Sequence, residues 1–168
     1  MKVTEGKKIY FASDNHLGIP DSRSSLIREK KFVKWLDTIK VDAHSIYLLG
    51  DLFDFWFEYK TVVPKGFTRV LGKIAEIADS GIPIYFFTGN HDMWVRDYFQ
   101  LELGVKVITE PQQFKINEKS FFIGHGDGLG PGDTSYKLMK KFITGNKFFK
   151  WCFRWIHPDI GVKIGQFL

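Results

Sequence analysis

Four stretches of this chain repeat one plan: an apolar, strand-like run stops at an abrupt turn and is followed at once by Asp, Asn or His. They are Ile9-Tyr-Phe-Ala-Ser-Asp14-Asn-His16, Ile46-Tyr-Leu-Leu-Gly-Asp51-Leu-Phe-Asp54, Ile82-Pro-Ile-Tyr-Phe-Phe-Thr-Gly-Asn90-His91-Asp92, and Phe121-Phe-Ile-Gly-His125-Gly-Asp127. The first three runs are apolar throughout rather than alternating. Both faces of their sheet must therefore be covered, as in parallel strands joined by helical crossovers. Parallel strands deliver their C-terminal ends to one edge, so strand ends carrying hard or borderline ligands predict one shared metal site.

The segments between the strands fit this plan. Leu26, Ile27, Phe32, Val33, Trp35, Leu36 and Ile39 recur at helical spacing with Lys and Glu between them, which predicts an amphipathic helix over 26–39. A second helix is predicted from Phe67 to Asp79, closed by Ser80-Gly81, and a third from Met93 to Leu103, ending at Gly104. A strand at 105–108 and a hairpin turning at Asn117-Glu-Lys make the second half mixed or antiparallel. After the glycine-rich Gly124–Asp133 stretch, helices are expected over about Thr134–Ile143 and Lys147–Ile156, separated by Gly145-Asn146. With 168 residues and 44% hydrophobic content, the chain carries one core, and the fold class is α/β (α+β). Residues 1–133 read as that core and 134–168 as the start of a helical cap.

A single cysteine, Cys152, permits no intrachain disulfide and favours a reducing compartment. No apolar run approaches the roughly 20 residues that span a bilayer, and no signal-peptide core follows the N-terminus. A cytoplasmic location is expected. Charge is unevenly placed: Lys137, Lys140, Lys141, Lys147, Lys150, Arg154 and Lys163 against Asp159 give the last 32 residues +6, leaving −1 for the rest of the +5 chain. In Phe148-Phe-Lys-Trp-Cys-Phe-Arg-Trp-Ile-His-Pro the basic residues interleave with aromatics. That segment reads either as a buried helix with a wet basic side or as a cap taking apolar chains on one side and anionic headgroups on the other.

The ligand set decides the chemistry. Asp14-x-His16 places two ligands within one turn, Asp51 can bridge two cations with its two oxygens, Asn90 offers an amide oxygen and His125 an imidazole. This mixed O/N set suits Mn²⁺, Fe or Zn²⁺ better than Ca²⁺ and lacks the thiolates of a structural zinc site. Two cations about 3.5–4 Å apart acidify water between them and clamp a phosphoryl group, so phosphoester hydrolysis is the expected reaction. Singly, each block is weak: an Asp after a strand, such as Asp54 or Asp127, is commonly a turn former, and His44 and His157 are read as structural. In this order, each at a strand end, the four together are specific.

These blocks resemble the calcineurin-like metallophosphoesterases, a resemblance that covers nearly all of the chain. It implies a mixed β-sandwich flanked by helices, with two divalent metals, Mn²⁺ foremost, at the strand ends. By that match Asp14, His16 and Asp51 are ligands of one metal, and Asp51, Asn90 and His125 of the other. His91 then donates a proton or stabilises charge at the phosphate, with Asp92 orienting it. Within the superfamily, Gly50-Asp-Leu-Phe-Asp-Phe-Trp56, Gly89-Asn-His-Asp-Met-Trp94 and Gly124-His-Gly-Asp-Gly-Leu-Gly-Pro-Gly-Asp133-x-x-Tyr136 are similar to the UDP-2,3-diacylglucosamine hydrolases of Gram-negative bacteria. That family cleaves the pyrophosphate of a lipid A precursor to UMP and 2,3-diacylglucosamine 1-phosphate. The likeness implies that Asn90, His91, Asp133 and Tyr136 contact substrate, and that the protein lies peripherally on the anionic inner membrane. His91 stands where some members carry Arg.

One block of the pattern is absent. The Gly-His-x-His that supplies the last His to each metal does not occur before Leu168, so the chain reads as the N-terminal portion of a longer protein. Exposed core surface and an open sheet edge are then expected, inviting self-association, and the 168 residues alone are expected to be weakly active or inactive. The rival readings are another dinuclear phosphodiesterase or phosphatase with a different cap, or a binding module using the basic tail. No nucleic-acid partner is expected.

Overall fold

The computed structural model describes residues 1–130, 133 and 146–167. Four strands, β1 (Lys8–Ala12), β2 (Ala43–Leu49), β3 (Ile84–Phe87) and β4 (Lys106–Ile108), pair in parallel in that order. Tyr10 sits opposite Ile46, Ile46 opposite Ile84, and Phe87 opposite Ile108. The crossovers are α1 (Ser22–Ile39), α2 (Thr68–Asp79) and the single turn α3 (Tyr98–Leu101). Strand alternation splits the side chains between two cores. On one face Ile46, Leu48, Ile84 and Phe86 pack with Phe32 and Leu36 of α1 and Val70, Ile74 and Ile77 of α2. On the other, Tyr47, Phe87 and Ile108 meet Ile116 and Ile123 of an antiparallel hairpin, β5 (Gln112–Ile116) and β6 (Lys119–Ile123). Left-handed Asn117 and Glu118 (φ 45° and 67°) make its two-residue turn. The architecture is thus the expected mixed α/β arrangement. Phe11 of β1 and Phe121 and Phe122 of β6 stay 40–63% exposed beside this second core.

Helix α1 starts four residues before its first apolar position because Asp21 caps it, accepting the N–H groups of Arg23 and Ser24 at 2.9 Å each. Helix α2 has no such cap of its own: Phe67 precedes it in a left-handed conformation (φ 57°). Buried Glu29 of α1 fills the role across the interface, its Oε1 accepting from Arg69 N at 3.0 Å and Val70 N at 3.1 Å.

The helix expected over Met93–Leu103 shrinks to Tyr98–Leu101. Trp94 is taken by a bridge to Phe57, and the Glu58 carboxylate accepts from Asp97 N and Tyr98 N at 2.9 and 3.2 Å, so the helix can start only there. The expected helix at Thr134–Ile143 lies outside the described residues. The helix expected over Lys147–Ile156 is α4 (Lys147–Phe153), and a further helix, α5 (Pro158–Phe167), follows it. Gly161 and Gly165, one turn apart on α5, let it lie directly on Tyr59 and Phe55, where a Cβ would overlap the Tyr59 hydroxyl and the Phe55 ring. Phe153 of α4 reaches Phe57 (ring centroids 4.6 Å) and Trp94 (5.0 Å). No helix among the described residues is long and apolar enough to cross a membrane.

Candidate metal centre

The C-terminal ends of β1, β2 and β3 stop at one level, and the backbone beyond them is unusual. Asp14 (φ 55°), His16 (φ 42°) and Asp51 (φ 53°) are all left-handed, a conformation that costs an ordinary residue about 1–2 kcal/mol. Such residues persist where surrounding contacts over-determine them, which is typical of binding sites. Here the loops after β1 and β2 lock together: Asp14 N donates to Gly50 O (3.2 Å), His16 N to Asp51 O (2.9 Å), Leu17 N to Leu52 O (3.0 Å) and Asp54 N to Leu17 O (2.9 Å). Glycine is required twice. A Cβ on Gly50 would stand 2.7 Å from Gly89 N and from His125 Nδ1, and one on Gly89 would collide with the Asp51 carboxylate.

Asp51 lies at the middle of the cluster, 3% exposed. Its Oδ1 accepts from His91 N at 3.0 Å, while Oδ2 faces His16 Nε2 at 3.7 Å and His125 Nε2 at 3.3 Å. Burial opposes its ionisation, yet the hydrogen bonds from His125 and His91 N hold its pKa below the usual carboxylate value. The hydrogen bond to Asp51 lifts His125 to about 9, against the opposing effect of burial. His125 Nδ1 donates to Leu49 O at 2.7 Å, so Nε2 is the atom turned to Asp51 and to Asn90 Oδ1, 3.2 Å away.

Ligand atoms bound about 2.0–2.2 Å from one cation lie roughly 3–3.5 Å apart. His125 Nε2 stands at that spacing from both Asp51 Oδ2 (3.3 Å) and Asn90 Oδ1 (3.2 Å). A second group, Asp14, His16 and Asp51, brings its ligand atoms within 4.8 Å of one another, with His16 Nε2 3.9 Å from Asp14 Oδ1. Two ion positions sharing Asp51 therefore fit the residues present, and the five ligands expected from sequence converge.

Asp54, set aside in the sequence as a turn former, belongs to this site. Its Oδ1 lies 3.3 Å from His16 Nδ1 and 3.7 Å from His91 Nδ1, and its carbonyl accepts from His91 Nδ1 at 2.8 Å. It orients both rings, which meet edge to face at 4.8 Å. The signal was the spacing Gly50-Asp-x-x-Asp54, which puts the second carboxylate on the same loop. The work expected of Asp92 is done here by Asp54. Asp92 is fully buried, and its carboxylate accepts from Gly89 N (2.7 Å) and Leu52 N (2.9 Å), fixing the turn that presents Asn90 and His91. Burial raises its pKa to about 6. Asp133 accepts from Gly130 N at 3.0 Å within its own turn, and Tyr136 lies outside the described residues.

Comparison with known proteins agrees with this geometry. The chain is 48% identical over 161 residues to a UDP-2,3-diacylglucosamine hydrolase of Porphyromonas gingivalis, covering 94% of this chain and 61% of that protein. It is 31% identical to proteins of the same name from Histophilus somni and Actinobacillus succinogenes, covering 66% and 65% of their lengths. The chain thus spans about 61% of the length of the Porphyromonas relative. The family model for calcineurin-like phosphoesterases matches residues 7–156, which include every residue of the cluster described above, and the chain belongs to that family.

Proposed function

We propose that the protein hydrolyses the pyrophosphate of UDP-2,3-diacylglucosamine to UMP and 2,3-diacylglucosamine 1-phosphate, a step of lipid A biosynthesis, using two divalent cations, Mn²⁺ foremost. The observation that carries this reading is the gathering of Asp14, His16, Asp51, Asn90 and His125 around one shared carboxylate. The 48% identity to a hydrolase of that name supports the substrate. When bound, the cations supply Lewis acidity to the phosphoryl oxygens and lower the pKa of water.

The chain's own residues position and screen. Asp14 and His16 would hold one ion, Asn90 and His125 the other, and Asp51 both. His91 donates its Nδ1–H to the Asp54 carbonyl, so Nε2 would give a proton or hydrogen bond to phosphate from the imidazolium form of the ring. Asp133 and Tyr136 are assigned to the glucosamine phosphate. The protein is placed at the cytosolic face of the inner membrane. Phe148, Phe149, Trp151 and Trp155 of the α4 segment, each 50–76% exposed beside Lys150 and Arg154, support that placement.

The test is an assay of the complete protein with Mn²⁺ and UDP-2,3-diacylglucosamine. Release of UMP is the expected result, and turnover of simple phosphodiesters alone would overturn the substrate assignment.

A further inference from the structure

The turn carrying Asp14 and His16 poses an accounting problem for its backbone. Asp14, His16 and Gly18 (φ 126°) are left-handed within five residues, so no regular ladder can satisfy the polar groups of this stretch. On one side the N–H groups of Asp14, His16 and Leu17 go to the loop after β2, and the Leu17 carbonyl accepts from Asp54 N. On the other side the turn faces α1, where Gly18 N donates to Ser25 Oγ at 2.8 Å. The carbonyls of Asn15 and His16 both accept from one atom, Arg28 Nη1, at 3.1 and 2.6 Å.

Ser25, Arg28 and Glu29 stand at i, i+3 and i+4 on α1 and so share a face. Ser25 and Arg28 hold the ligand turn, while Glu29 caps α2. We propose that Arg28 is a positioning residue for the metal centre: its guanidinium, bridging two successive carbonyls, holds the Asp14–His16 turn left-handed so that both side chains face Asp51. Arginine suits the task, being always charged and carrying several donors on a rigid plane, so one group can serve two carbonyls. A lysine in its place brings the charge without the plane.

The turn supplies ligands to only one of the two ion positions, with Asn90 and His125 on other loops, and this makes the inference selective. Arg28 should matter for the ion held by Asp14 and His16 and leave the other nearly untouched. The inference rests on the dinuclear reading of the site.

The experiment is metal titration of the complete protein and its Arg28→Ala, Arg28→Gln and Arg28→Lys variants. It follows heat and the visible spectrum of Co²⁺, with the melting temperature of each metal-free form recorded alongside. Loss of such an outer contact weakens metal binding about 10–100-fold, so one of two binding steps should weaken by that factor in Arg28→Ala. The other step should stay within about twofold, and Arg28→Lys should recover part of the loss. Equal weakening of both steps in proportion to a fall in melting temperature would reduce Arg28 to a general stabiliser and overturn the inference. Two unchanged steps would overturn it as well. Should Arg28→Ala fail to fold, Arg28→Gln, with a single amide donor group and little change in packing, decides by the same criteria. A wild-type protein binding fewer than two ions would instead refute the dinuclear reading.

Discussion

A buried carboxylate stays an anion only where donors face it, and Asp51, bonded by the His125 ring and the His91 N–H, shows the consequence in His125. With His125 lifted to about 9 by Asp51, the metal-free fold binds a proton there that the unfolded chain, with an ordinary value of about 6.5, releases earlier. The pair therefore stabilises the metal-free fold fully from about pH 6.5 down to the acid range where Asp51 itself takes up a proton, and this contribution is lost as pH rises through about 9. Metal uptake runs the other way, because a cation at His125 Nε2 must displace that proton. Apparent affinity should rise about tenfold per pH unit between pH 6.5 and 8.5, with proton release seen by calorimetry in buffers of different ionisation heat; affinity flat over that range would refute it. Asp51→Asn should return His125 toward about 6.5 in an NMR titration of the metal-free protein and abolish uptake of both ions. At this scale the sequence was readable where residue type and strand end coincide, as at Asp14, His16, Asp51, Asn90 and His125. Asp54 was signalled only by its spacing from Asp51, and Arg28 not at all, because an arginine on a helix looks the same whether or not it holds a ligand turn.

Elements were legible in proportion to how far local pattern decides them. The parallel strands and the helices α1 and α2 carry apolar periodicity that their tertiary surroundings only confirm. Two elements were set by partners distant in sequence: Glu58 and the Phe57–Trp94 bridge delay α3, and the approach of Tyr59 and Phe55 to Gly161 and Gly165 makes room for α5, whose glycines otherwise read as helix breakers. The same logic singles out Glu29. Glu29→Ala removes the only side-chain oxygen capping α2 among the described residues and takes the partner from the Arg69 and Val70 N–H groups, so it should destabilise the protein by about 1–2 kcal/mol in urea unfolding. Glu29→Gln keeps a carbonyl oxygen in the same place and should lose less than half of that. Equal losses for both variants would mean that the charge, rather than the acceptor, holds the helix start.

Over the whole molecule, charge and exposed aromatic surface coincide. The last 32 residues hold a net +6 while the rest of the chain sums to −1, and the same segment exposes Phe148, Phe149, Trp151 and Trp155. Phe148 stacks on Trp151, and Trp151 meets Trp155 edge on, so the rings form one continuous surface rather than scattered contacts. Phe153, between them in sequence, turns inward to Phe57 and Trp94 and fixes the segment to the core that carries the candidate metal centre. A surface of this kind suits an anionic bilayer, with the rings at headgroup depth and lysine and arginine attracted to lipid phosphates at about 1 kcal/mol per basic residue near the surface. Vesicles containing phosphatidylglycerol should therefore bind the protein and shift its tryptophan emission to the blue. Phosphatidylcholine vesicles should bind it at least about tenfold more weakly, and 0.5 M salt should remove most of the difference, because attraction between exposed charges is then screened within about 5 Å. Trp151→Ala with Trp155→Ala should abolish the shift while leaving the metal titration unchanged, since the ring contacts described for Trp151 and Trp155 are with Phe148 and with each other. Equal binding to neutral and anionic vesicles would assign the surface to apolar contact alone, and no binding to either would leave the aromatic face to a protein partner.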